Sequence, residues 1–145
     1  SVAVPTFTAT DTLTVFNSLF NETYLLGSTS SLLSTIFGLE RVNLERHVFE
    51  HQFGSWNEVA NANAVFITDA YANFGATGII IYSLIAGQAF RWFRLSKDIA
   101  FKSLWPVFAF ILFSASLIGA IFSNGFLLVF FIGIFLKIGR NRLYS

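Results

Sequence analysis

A chain of 145 residues is short enough for one compact domain, but 54% hydrophobic side chains, 19 Phe, only 12% charged residues and a mean hydropathy of +0.65 are wrong for a water-facing surface and predict a protein whose solvent is largely a bilayer. The absence of Cys removes disulfide frameworks and thiolate metal sites. A net charge of +1 argues against nucleic acid, which needs a dense basic face to displace counterions.

The chain opens on Ser1, and SVAVPTFTAT lacks the basic and apolar regions of a signal peptide, which predicts a processed or truncated chain or a piece of a longer one. Residues 1–38 alternate polar and apolar side chains with no run long enough to span, and read as an extracytoplasmic segment. Asp11, before TLTVFNSLF, is placed to cap a helix through its carboxylate, and Ser30 or Ser31 to cap a short one that Gly38 ends.

Residues 39–56 take up a helical period. Leu39, Val42, Phe49, Phe53 and Trp56 share one arc of the wheel, and Glu40, Asn43, His47, Glu50 and His51 another, which predicts an amphipathic helix lying on the membrane or capping a bundle, with Gly54 as a stop or kink. Its polar face carries two possible chemistries. His47-Val48-Phe49-Glu50-His51 spells H-x-x-E-H, a zinc-peptidase spacing, but no third ligand stands out beyond Glu58 or Asp69, and histidines on a solvated helix face explain the pattern without metal; the assignment is no metal. Alternatively, Arg41 and Arg46 offer fixed positive charge to an anionic substrate and His47 or His51 a base, against the plainer reading of surface pairs one turn apart.

The densest mixture of polar, small and apolar residues is NANAVFITDAYANFGATG over 61–78. It leads into residues 74–90, which carry no formal charge and form the centre of a first transmembrane helix over about 65–92. Gly75, Gly78, Ser83, Ala86 and Gly87 let a neighbouring helix approach closely. Asp69 lies outside the apolar run with Asn73 four residues on, on the same face. A carboxylate there needs water, a partner or a cavity, and serves either as polarity where the helix meets the membrane or as a general base or hydrogen-bonding group for a substrate.

Arg91, Arg94, Lys97 and Lys102 crowd the next connection, and further spans are predicted over 103–122, with Pro106 in its first turn, and over 125–139, with the turn Ser123-Asn124-Gly125 between them. Arg140 and Arg142 lie on the same basic side, which puts the N-terminal segment outside and the C-terminus inside. Phe110, Phe113, Phe122, Phe126, Phe130, Phe131 and Phe135 face lipid or pack the bundle rather than line a pigment site. The fold class is therefore an all-α membrane protein of about three transmembrane helices, residues 61–145, preceded by an extracytoplasmic segment, residues 1–60. No nucleotide-binding glycine loop or nucleophile elbow occurs.

NANAVFITDAYANFGATGIIIYSLIAG, followed by a basic connection and two further hydrophobic stretches, resembles the C-terminal part of bacterial oligosaccharide repeat-unit polymerases, the O-antigen and exopolysaccharide group; VPTFTATDTLTVFNSLF is similar to the segment preceding it. Asn61, Asn63, Asp69, Tyr71, Asn73 and Gly75 carry most of the likeness. The resemblance implies a multi-pass glycosyltransferase of the bacterial inner membrane that joins repeat units carried on undecaprenyl diphosphate at the periplasmic face, without metal or nucleotide sugar. It places Asp69 and Tyr71 at the motif, Asp69 as the catalytic candidate and Tyr71, with Asn73, as substrate contacts; Arg41 and Arg46 for substrate binding and His47 for catalysis are candidates from chemistry alone. Such polymerases have about ten or more spans, so a chain with three needs further helices to complete a substrate cavity. The alternative is a non-catalytic structural or accessory subunit of a larger membrane complex. Lipid and other membrane helices are the expected partners in both cases.

Overall fold

The computed structural model describes residues 3–21, 23–55, 62–63 and 65–143, the side chains of 3–5 and 136–143 excepted. The described residues are all-helical: α1 (Ala3–Phe20), α2 (Ser31–Phe37), α3 (Leu44–Phe53), α4 (Phe66–Leu95), α5 (Ile99–Lys102), α6 (Trp105–Ser114), a π-helical turn (Gly119–Ser123) and α7 (Phe126–Leu143). Trp56, Glu58 and Asn61 lie outside them.

α1 begins well before the expected Asp11 cap. Thr8, Thr12, Val15 and Phe16 make its buried face, and Thr12 satisfies its hydroxyl by donating to the Thr8 carbonyl four residues back at 2.6 Å. A buried helix face half built of threonine leaves no hydrophobic period to read. Asp11 therefore sits in mid-helix, where its carboxylate accepts from Gln52 Nε2 at 2.7 Å and ties α1 to α3.

α2 follows the sequence reading. Ser30 occupies the cap position without a side-chain cap bond, and Gly38, at φ 64°, ends the helix in the left-handed conformation with its amide donating back to the Ser34 and Thr35 carbonyls. α3 is shorter than expected. Asn43 is its cap rather than part of a polar face, its side chain accepting from the Arg46 amide at 3.0 Å, so residues 39–42 lie outside the helix; Gly54 ends it. Its buried stripe is Leu44 and Val48, while Leu39 and Phe53 are exposed. Leu44 and Val48 pack with Val15, Phe16, Leu25 and Ala72 in a first apolar cluster.

α4 is the spine, because it contributes to both clusters. With α5, α6, the π turn and α7 it forms a second and mainly aromatic one, which takes in Ala70 as well as residues beyond Gly75, and in which Phe93 and Phe108 are fully buried and their rings lie 5.7 Å apart, with Phe126 4.8 Å from Phe108. Phe126 and Phe130 are thus packing residues, whereas Phe110, Phe113, Phe122, Phe131 and Phe135 are exposed. α7 passes close over α5 at Gly133, where a Cβ would stand 2.7 Å from the Phe101 ring.

Only α4, among the described residues, is long and apolar enough to cross a membrane. The continuous helix expected over 103–122 breaks after ten residues: Ala115 is extended, Ser114 donates back into α6, and Ser116 Oγ caps the next segment by accepting from the Gly119 amide at 3.1 Å. Two serines flanking the break supply local alternatives to the helical ladder, which hydropathy alone does not register. The apolar part of α7, Phe126–Phe135, is likewise short.

Candidate functional site

The site is built on an interruption of α4. Gly75 has φ 64° and ψ −150°, far from helical, and divides α4 into a short arm over 66–74 and a long arm over 76–95. Glycine is required there twice over, by its left-handed φ and because a Cβ would meet the Tyr24 ring at 2.7 Å. The break diverts the Ala72 and Asn73 carbonyls from the helical ladder. The segment 23–29 takes them up: the Leu25 amide donates to Ala72 O at 3.0 Å and the Leu26 amide to Asn73 O at 2.9 Å. This segment reaches the break through two left-handed residues, Leu26 (φ 51°) and Gly27 (φ 97°). Gly78 completes the geometry on the long arm, since a Cβ there would collide with the Ala70 carbonyl oxygen.

Asn73, 1% exposed, locks the segment in place. Its Oδ1 accepts from the Gly27 amide at 2.8 Å, which fixes the orientation of the side-chain amide, because only oxygen can accept there. Its Nδ2 then faces Thr29 Oγ1 at 2.7 Å, Asp69 O at 2.8 Å and Asp69 Oδ1 at 3.1 Å. Thr29 Oγ1 in turn donates to Asp69 Oδ1 at 2.8 Å. One carboxylate oxygen of Asp69 is therefore committed to the clamp, and the residue lines a small pocket with Thr12, Thr29, Asn43, Glu45 and Asn63.

The electrostatics follow from burial. Asp69, 6% exposed, has its pKa pushed up to about 6 by desolvation, against the lowering effect of the bonds from Thr29 and Asn73. Glu45 is exposed as a residue yet lines the pocket, and its carboxyl is pushed upward by desolvation first and by the Asp69 charge second. With two hydrogen bonds already on Oδ1, a proton on Asp69 belongs on Oδ2. The cavity is about 20 Å³ measured for the centre of a water-sized sphere, which is room for about one water and none for a sugar.

Of the sequence candidates, the structure joins Asp69 and Asn73 directly. Tyr71 is turned away into an aromatic group, 6.1 Å from Phe16 and 6.3 Å from Tyr24 between ring centroids. Arg41, Arg46 and His47 do not line the pocket. Arg41 is exposed; Arg46 pairs with Glu50 at 2.9 Å; His47 is 43% exposed, with Nδ1 3.9 Å from the same glutamate and its ring edge-on to Phe20. No group of three or more His, Cys, Asp or Glu able to hold a metal occurs among the described residues, so H-x-x-E-H gathers no third ligand there. Thr29, Thr12 and Glu45 were not singled out by sequence reasoning; the one signal that could have pointed to Thr29 is the turn-forming cluster Gly27-Ser28-Thr29-Ser30, which was not read as such. Tyr82 on the long arm is buried, and its hydroxyl has no hydrogen-bond partner among the described residues. No family model matches the chain, and neither a curated protein nor a solved structure is significantly similar to it.

Proposed function

We propose that this chain is the C-terminal membrane portion of a polytopic glycosyltransferase that polymerises undecaprenyl-diphosphate-linked oligosaccharide repeat units at the periplasmic face of the bacterial inner membrane. Its spans are built on the long arm of α4, on α6 with the π turn, and on α7, and further helices complete the substrate cavity. The observation carrying this reading is the position of Asp69: a carboxyl pushed up to about 6, with one oxygen not committed to the clamp, lies just outside the long arm of α4, which among the described residues is the one helix long and apolar enough to cross a bilayer. Ionised at neutral pH, Asp69 takes the proton of the acceptor hydroxyl as that oxygen bonds to the anomeric carbon; the bond from that carbon to the diphosphate breaks and the diphosphate leaves with the electron pair. Cationic side chains stabilise the leaving group, and the exposed Arg41 is the nearest candidate in chemistry.

A second reading rests on the size of the cavity. Room for about one water and the commitment of Asp69 and Asn73 to Thr29 and Gly27 favour a structural role, with the chain a non-catalytic subunit of a larger membrane complex. Asp69→Asn separates the two, because an amide oxygen can still accept from Thr29 and Asn73 but cannot act as a base. In cells that make the glycan, loss of long polymer with normal accumulation of the variant supports the polymerase; unchanged polymer length and amount supports the structural subunit.

A further inference from the structure

The charge of the chain is divided by the site just described. Residues 1–69 hold seven of the eight acidic side chains and two of the nine cationic ones; residues 70–145 hold one acid, Asp98, and seven cations. Four of those cations, Arg91, Arg94, Lys97 and Lys102, are exposed where α4 ends and turns through α5 into α6, and none has an ion pair among the described residues. The one acid beside them is occupied, since Asp98 Oδ1 caps α5 by accepting from the Phe101 amide at 2.8 Å. Between the cations stand apolar side chains that are exposed among the described residues: Ile99 is 83% exposed, Leu95 63% and Trp105 51%. The long arm of α4, at 1.5 Å per residue over 76–95, is about 30 Å long, the thickness of a hydrocarbon core, so these side chains fall at the headgroup level when Gly75 lies at the opposite interface.

We infer that the α4–α6 elbow docks anionic phospholipid headgroups, with Arg91, Arg94, Lys97 and Lys102 on the phosphates and Leu95, Ile99 and Trp105 in the acyl boundary beneath them. The inference rests on α4 crossing the membrane and goes beyond it: a basic connection needs only to stay on the cytoplasmic side, whereas a docking surface selects among lipids. Uncompensated cations beside exposed apolar side chains match a negatively charged interface and no purely aqueous partner.

The test uses the full chain carrying Trp56→Phe, which leaves Trp92 and Trp105, both flanking the elbow, as the fluorescent reporters. It is reconstituted in phosphatidylcholine vesicles containing, at one mole fraction, either brominated phosphatidylglycerol or brominated phosphatidylcholine. The expected result is stronger quenching by the anionic lipid, corresponding to an association preference of about fivefold or more, the effect of one cation at an anionic surface. In the chain that also carries Arg91→Gln, Arg94→Gln, Lys97→Gln and Lys102→Gln the ratio falls to near one. Equal quenching of the Trp56→Phe chain by both lipids overturns the docking surface while leaving the span intact, and quenching by neither overturns both. A preference that survives the four substitutions places the lipid elsewhere and overturns the assignment, as does one abolished by inorganic phosphate at constant ionic strength, which marks a free-anion site.

Discussion

Replacing Asp69 by Asn should make the protein more stable at neutral pH, and the size of the gain follows from the carboxyl's surroundings. Burial raises its pKa from 3.8 to about 6, roughly two units, and each unit is about 1.4 kcal/mol. The folded chain holds this proton more tightly than the unfolded chain does. The associated stability is therefore fully present below pH 3.8 and is lost as pH rises through about 6, leaving a burden of about 3 kcal/mol at pH 7.5. Asparagine keeps the acceptor for Thr29 and Asn73 and removes the buried charge. The assay is denaturant unfolding of the purified chain in detergent between pH 4 and 8, comparing Asp69→Asn with the original chain so that the other carboxylates largely cancel. The variants should coincide near pH 4 and separate progressively, with Asp69→Asn ahead by up to about 3 kcal/mol at pH 7.5. A variant less stable than the original by the same amount at both ends would show that the ionised carboxylate is favourably held, and the argument from desolvation would fail.

Other substitutions test the clamp and the helix break. Thr29→Val removes the hydroxyl shared by Asp69 and Asn73 and should cost about 1–3 kcal/mol in the same unfolding assay, with a non-additive double-mutant cycle against Asp69→Asn. Gly78→Ala, facing the Ala70 carbonyl, should cost about 1–3 kcal/mol, whereas Gly87→Ala, with nothing within 4 Å of the new Cβ, should be neutral or stabilising by up to about 1 kcal/mol; melting temperatures of the pair check this. Tyr82→Phe removes a buried hydroxyl that has no partner among the described residues and should leave stability unchanged or higher by about 1 kcal/mol, and a loss of more than that would reveal a bond to this hydroxyl.

Much of the architecture was legible because it rests on period and punctuation. The apolar run over 74–90, Gly38 and Gly54 at helix ends, Pro106 in a first turn and Asn124-Gly125 before α7 all carry local physical reasons that survive in the structure. The failures have local reasons too. α1 buries threonines, so its inner face resembles its outer one. Residues 39–42 fit a helical wheel, but Asn43 captures the Arg46 amide and starts the helix later, which rotates the buried stripe to Leu44 and Val48. The span over 103–122 is uniformly apolar by hydropathy, and its break depends on the hydroxyls of Ser114 and Ser116. At the candidate site, Asp69 and Asn73 could be paired by their four-residue spacing. Their partner Thr29, forty residues before Asp69, could not, since nothing local states that segment 23–29 will take up the carbonyls released at Gly75. Tyr71, placed beside Asp69 by the resembling motif, lies in the aromatic group with Phe16 and Tyr24 instead of at the pocket, since a helix turns residues two apart to different faces.

The claim on which the proposals stand is that the long arm of α4 crosses the bilayer, and the absence of cysteine makes it directly testable. Glu40→Cys, exposed on the α1–α3 side, and Lys97→Cys, exposed beyond the end of α4, are introduced singly and treated in intact cells with a membrane-impermeant maleimide reaching only the outer face of the inner membrane. The account predicts labelling at position 40 and none at position 97 until the membrane is permeabilised. Labelling of both positions from the same side would contradict it.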